Sequence, residues 1–335
     1  MTRTPPAVEA SALTKRFGAT QALDGVTLAI ATGIVYGLLG PNGAGKTTTI
    51  RVIATLLVPD SGTARILGYD VVAEADAVRR RVALAGQAAT VDDDLTGSEN
   101  LVLLGRLGGL GRKAARNRAA ELLAAFALEE SAARQVKTYS GGMRRRIDLA
   151  ASLVVPAEVY LMDEPTTGLD PASRAQVHQL IRAIAAGGAT VLLTTQYLEE
   201  ADRLAARIAV IDRGRVIAEG TPGELKARVS PGTLQMRLAS LAQRPDAELL
   251  LARLLGPPVR AEADPTVLTA TVPASQAGLP AGEQATAALS GLAGAGIAID
   301  EFAFGQSSLD EVFLALTGHA GNTRTSALTT TEAIS

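Results

Sequence analysis

Residues 40–47, Gly40-Pro41-Asn42-Gly43-Ala44-Gly45-Lys46-Thr47, satisfy every fixed position of the pattern G-x-x-x-x-G-K-[ST], and this stretch restricts the fold more tightly than any other. The apolar run Ile34 to Leu39 ahead of it reads as a buried strand, and Thr47 to Leu57 behind it as a helix. That is the strand, loop, helix order in which glycines let successive N–H groups face phosphate oxygens while the helix adds its positive end. In such a loop Lys46 reaches the β and γ phosphates and Thr47 offers its hydroxyl to Mg²⁺. The expectation is a nucleoside triphosphate site with Mg²⁺, drawn from Asn42, Gly43, Ala44, Gly45, Lys46, Thr47 and Thr48.

At 335 residues the chain has room for two domains. The absence of cysteine excludes disulfides, thiolate metal sites and thiol catalysis. His178 and His319 are far apart in sequence and read as ordinary surface residues without a role. A net charge of −2 gives no electrostatic case for nucleic acid as a partner. The first ten residues lack the apolar core of an export signal, and the longest apolar runs are too short and glycine-interrupted to span a membrane. A soluble, cytoplasmic chain is expected.

Ahead of the loop, Val8 to Leu13 and Val26 to Ile30 read as two strands around a polar turn. Phe17, in that turn, can stack on an adenine ring or serve as a core side chain; with aromatics at 3% of the chain, the first reading is favoured. Beyond the loop, Val82 to Gly86 is an apolar run ending at Gln87, and Asp92 to Ala150 turns helical, a helical insertion between strands. Ser140 can cap a helix that begins in Gly141 and Gly142 and turn its amides to an anion; the bland alternative is a cap before a solvated basic face, Arg144 to Arg146. Val159 to Met162 then runs into two adjacent acids, Asp163 suited to Mg²⁺ and Glu164 to a water. Thr190 to Thr195 is a further buried strand, ending at Gln196. Four apolar strands thus finish at Gly40, Gln87, Asp163 and Gln196, and in an open parallel sheet ligands bind outside the carboxyl ends of the strands. The first domain ends near Arg228, and the strand and helix order after it, βαββαβ with an extra helix at Leu309 to Leu316, fits a small ferredoxin-like α+β domain. Residues 320–335 read as a disordered tail.

With these motifs in order, roughly the first 220 residues resemble the nucleotide-binding subunit of an ATP-binding cassette transporter. GPNGAGKT looks like Walker A, Gln87 like the Q-loop glutamine, YSGGM like the signature, LMDEP like Walker B and TGLD like the D-loop. YSGGMRRRIDLA, TTQYLEEAD and the segment Ser308 to Gly318 are similar to the daunorubicin-resistance type of exporter ATPase, extending the resemblance over most of the chain. The resemblance implies an α/β P-loop ATPase domain over residues 1–228, with a mixed sheet, an antiparallel β subdomain and a helical subdomain at about 88–150, followed by an accessory α+β domain at 229–319. It implies ATP and Mg²⁺, with Thr47, Gln87 and Asp163 at the metal and Glu164, Gln87 and Gln196 at the chemistry. It further implies a homodimer in which Ser140, Gly141 and Gly142 act on the partner's ATP. A separately encoded permease would receive the ATP-driven closure through the helical insertion, at the cytoplasmic side of the membrane, for export of an amphipathic drug. Tyr139 and Met143 depart from the usual signature, and Gln196 stands where the family has a histidine. A glutamine can donate to a γ-phosphate but cannot shuttle a proton. A soluble ATPase of this type acting without a membrane partner, or a low-turnover regulatory module, are the alternative readings.

Overall fold

The computed structural model describes residues 5–86, 91–229, 232–273, 275–276, 279–305 and 313. The chain divides into two compact units, residues 1–224 and 225–335.

The first unit begins with a hairpin, β1 (Val8–Phe17) and β2 (Thr20–Ile30), turned at Gly18 and Ala19. Both strands run further than their apolar alternation indicates, because the outer half of the hairpin has little buried surface to impose a period of two. Next come β3 (Val35–Leu39), α1 (Lys46–Ile53), β4 (Ser61–Ile66), β5 (Tyr69–Asp70), α2 (Ala75–Arg79) and β6 (Val82–Ala85). The helical insertion holds α3 (Gly97–Leu107), α4 (Arg112–Ala125) and α5 (Gly141–Ser152). The chain then returns to the sheet through β7 (Val159–Asp163), α6 (Pro171–Ala186), β8 (Thr190–Thr195), α7 (Leu198–Leu204), β9 (Arg207–Asp212) and β10 (Arg215–Gly220), and the boundary between the two units falls within α8 (Pro222–Val229).

Two sheets result. One is antiparallel, in the order β2-β1-β4-β5; the other is mixed, β10-β9-β3-β8-β7-β6, with only the β9–β10 pair antiparallel. The inner strands β3, β7 and β8 are buried at every position, covered on both faces, which is why they read as largely apolar runs. Their side chains alternate between two cores: Tyr36, Leu38, Val159, Leu161 and Leu192 meet the antiparallel sheet and α1, whereas Val35, Tyr160, Met162, Val191 and Leu193 meet residues of the helical insertion and α6. The strands β3, β8, β7 and β6 are adjacent and parallel, with Leu39 paired to Thr195 and Thr194 to Asp163, so their carboxyl ends share one edge.

Helix starts follow local chemistry. Thr96 and Glu99 form a capping box on α3, and Asp170 caps α6 by accepting from Ser173 N (2.9 Å), with Pro171 in the first turn.

The second unit contains β11 (Gly232–Leu238), α9 (Arg244–Leu255), β12 (Val259–Ala261), β13 (Val267–Val272), a two-residue pair β14 (Ser275–Gln276) and β15 (Leu279–Pro280), α10 (Ala281–Gly294) and β16 (Ile299–Gly305). Its antiparallel sheet, ordered β12-β13-β11-β16, carries α9 and α10 on the face of Leu234, Met236, Leu268 and Ala270. This is the ferredoxin-like arrangement, with the β14–β15 pair added before α10. The segment Leu309 to Leu316, apart from Phe313, and the tail lie outside the described residues.

Candidate functional site

The loop between β3 and α1 is held in shape by backbone that only glycine fits. A Cβ on Gly40 would run into the Ile211 carbonyl oxygen, and Gly45, at φ +108°, would bring one within 2.6 Å of Ala22 O. The loop frames a cleft of ≈ 500 Å³ lined by Ala22, Pro41, Asn42, Gly43, Gly45, Lys46, Thr47, Thr48 and Glu164. Lys46 is 4% exposed, and its Nζ donates to Gly40 O (2.7 Å) and Pro41 O (3.2 Å) and lies 3.4 Å from Glu164 Oε1. The cation expected at the phosphates and the acid expected at the water therefore share one cleft.

Asp163 and Glu164 leave β7 with different surroundings. Asp163 is buried, and its Oδ1 accepts from Thr194 Oγ1 at 2.5 Å. Glu164 has a left-handed backbone, φ +50°, and its amide donates to Thr194 O and Thr194 Oγ1, both at 3.1 Å. Thr194, on the neighbouring strand β8, thus fixes both acids, although its sequence context marked it only as part of a buried strand. Gln196 is half-buried just beyond the end of β8. Gln87, the other strand-end glutamine, lies outside the described residues.

Ser140 caps α5 by accepting from Met143 N (3.3 Å), and a Cβ on Gly141 or Gly142 would meet open space. These three residues do not line the cleft, nor does Phe17. Phe17 is 49% exposed with Lys15 Nζ 5.9 Å from its ring centroid, so its reading as a core residue does not hold.

Sequence reasoning missed Arg145, which read as part of a solvated basic face. Its Nη1 donates to Gly86 O (3.0 Å), its Nη2 to Glu164 O (2.7 Å) and its Nε to Pro165 O (3.2 Å), so the guanidinium ties the ends of β6 and β7 to α5. Burial lowers its pKa, opposed by the charges of Asp148, Asp163 and Glu164. His178 also corrects its reading as a surface residue: it is 8% exposed, with Nε2 2.9 Å from Glu200 Oε1, an oxygen that also accepts from Thr166 Oγ1 at 2.8 Å. Val177 and Ile181 stand four residues apart on the buried side of α6, and His178, three residues before Ile181, falls beside that stripe, a signal available in the sequence.

Among the described residues no helix is long and apolar enough to cross a membrane.

The family profile described as ABC transporter matches residues 23–167. The daunorubicin/doxorubicin resistance ATP-binding protein of Streptomyces peucetius is 54% identical over 318 residues, 95% of this chain and 94% of that protein. A solved ATP-binding subunit of an ABC transporter superposes with TM-score 0.62 at 30% identity, covering 66% of this chain and 92% of the other. A dimeric ATP-binding cassette in a post-hydrolysis state with ADP and Pi gives 0.59 at 27%, covering 64% of this chain and 98% of that one.

Proposed function

The chain belongs to the ATP-binding cassette transporter family as an ATP-binding, ATP-hydrolysing subunit, and on that premise we propose that two copies close around two ATP molecules to drive a separately encoded permease exporting an amphipathic drug. The observation that carries the chemistry is the meeting of Lys46 and Glu164, 3.4 Å apart, in the cleft of the phosphate loop.

In this reading the loop amides and Lys46 hold the β and γ phosphates, and Glu164 accepts a proton from the water that attacks the γ-phosphorus. The clamp of Thr194 on Asp163 and on the Glu164 amide sets the carboxylate's direction before ATP arrives. Thr47 in the cleft and the buried Asp163, which precedes Glu164 at the end of β7, would supply the hard oxygen ligands that suit Mg²⁺, and Gln87 would add an amide oxygen. When bound, the ion neutralises charge developing on the phosphate oxygens. Gln196 donates a neutral hydrogen bond to the γ-phosphate and Phe17 stacks on the adenine. Gly141 and Gly142, with open space where a side chain would stand, and Ser140 serve the partner's ATP; the dimeric ADP-bound relative supports such an arrangement.

The surface for the permease is a groove of ≈ 690 Å³ whose walls include Arg79, Arg80, Leu104, Leu107 and Val155, with Leu107 74% exposed. Apolar and cationic together, it fits a short amphipathic helix with an acidic end, which would place the subunit at the cytoplasmic face of the membrane. The chain from about residue 229 onward contributes no group to the chemistry and serves regulation or assembly.

Replacing Glu164 by Gln keeps the shape and removes the base. Since a positioned general base supplies roughly 10²–10⁴-fold, Glu164→Gln is expected to bind ATP like the parent and to lose about two orders of magnitude or more in steady-state hydrolysis. Near-parental turnover would refute the assignment.

A further inference from the structure

Arg144, Arg145 and Arg146 are adjacent on α5, yet they turn in two directions. Arg144 pairs with Asp93, and Arg146 Nη1 donates to Phe126 O at 2.9 Å, so both hold α5 to the rest of the helical insertion. Arg145 turns to the mixed sheet and donates to the carbonyls of Gly86, Glu164 and Pro165, with Asp163 O a further 3.5 Å neighbour. Its targets are the last described residue before Gln87 and the left-handed backbone of Glu164. The same helix begins, five residues earlier, with Ser140.

A guanidinium is a planar, rigid fork that stays charged, and several charge-assisted bonds to carbonyls fix both distance and direction. The start of α5 therefore cannot tilt relative to Glu164 without breaking these bonds. By the same bonds, any shift of the Glu164 backbone or of the end of β6 would be passed to the Ser140–Gly142 turn.

We infer that Arg145 is a positioning residue that couples the two ATP sites of the dimer, reporting the state of this chain's own phosphate site to the Ser-Gly-Gly turn it presents to the partner. The inference rests on the dimer reading given above. It differs from a merely structural role in that ATP binding by one subunit needs only the phosphate loop, whereas closure on a second copy needs the turn correctly set.

The test compares Glu164→Gln, Arg145→Gln/Glu164→Gln and Arg145→Lys/Glu164→Gln, measuring ATP binding by titration and ATP-driven dimerisation by sedimentation. Loss of the charge-assisted bonds is expected to weaken the ATP-bound dimer about tenfold or more in the Gln variant, with ATP binding by the isolated subunit changed less than about threefold. Lysine, which keeps the charge and reaches fewer carbonyls, recovers part of the loss and carries the test alone if the Gln variant does not fold. Dimerisation equal to that of Glu164→Gln in the variants that fold overturns the inference, as does a loss of ATP binding in step with the loss of dimer. Failure of Glu164→Gln itself to dimerise with ATP is seen before any change at Arg145; it overturns the dimer reading and the coupling with it.

Discussion

Glu164 sits at φ +50°, a left-handed backbone that costs a side-chain-bearing residue about 1–2 kcal/mol. Thr194 O and Oγ1 accept from its amide and Arg145 donates to its carbonyl, so its neighbours hold the conformation on both sides. Such strain held by surrounding structure fits a residue whose side chain must stay aimed. Gln196 lies just past the strand that carries Thr194, and the proposal gives it a neutral hydrogen bond to the γ-phosphate. Gln196→Ala is expected to lose about 1 kcal/mol of ATP's advantage over ADP in driving dimer closure, with ADP binding unchanged. Gln196→His should retain turnover, since a neutral imidazole can make the same donation. An alanine variant with parental dimerisation and hydrolysis would leave Gln196 as a strand terminus only. The legible residues were those in patterns: the phosphate loop has fixed positions, and the paired acids end a continuous apolar strand. Arg145 was not legible, because three consecutive arginines are equivalent on paper and only packing sends the middle one to the sheet.

Between elements, a second buried connection runs behind the site. Thr166, two residues after Glu164, donates to Glu200 on α7, and His178 on α6 contacts the same oxygen; Thr166 is fully buried and Glu200 is 3% exposed. Glu200 thereby joins α6 and α7 to the turn after β7. Truncating it strands a buried hydroxyl and imidazole, so Glu200→Ala is expected to destabilise the chain by about 1–3 kcal/mol, read as a lowered midpoint in denaturant. Glu200→Gln keeps the accepting oxygen and should recover most of that loss; equal midpoints for parent and alanine variant would show the cluster to be unimportant. The sequence marked β7 and β8 well, because strands covered on both faces leave continuous apolar runs. It marked the outer ends of β1 and β2 poorly, because residues 14–17 and 20–22 have no fully buried member to set a period. The β14–β15 pair is two residues per strand, too short for any periodic signal.

At the scale of the whole molecule, the phosphate-loop cleft and its acids lie in the unit of residues 1–224. A chain ended after Val229 is therefore expected to bind ATP with parental affinity while losing dimerisation or coupling to the permease; a truncate shown to be folded that does not bind ATP would count against this division of labour. In the proposed dimer two chains close around two nucleotides, each held by Lys46 and the loop of one chain and by the Ser140–Gly142 turn of the other, while Glu164 serves hydrolysis alone. The most direct measurement is the mass and nucleotide content of Glu164→Gln in sedimentation with ATP or with ADP. A dimer carrying two ATP, formed with ATP and absent with ADP, is expected; a monomer with ATP bound, or a dimer indifferent to the nucleotide, would overturn the proposal.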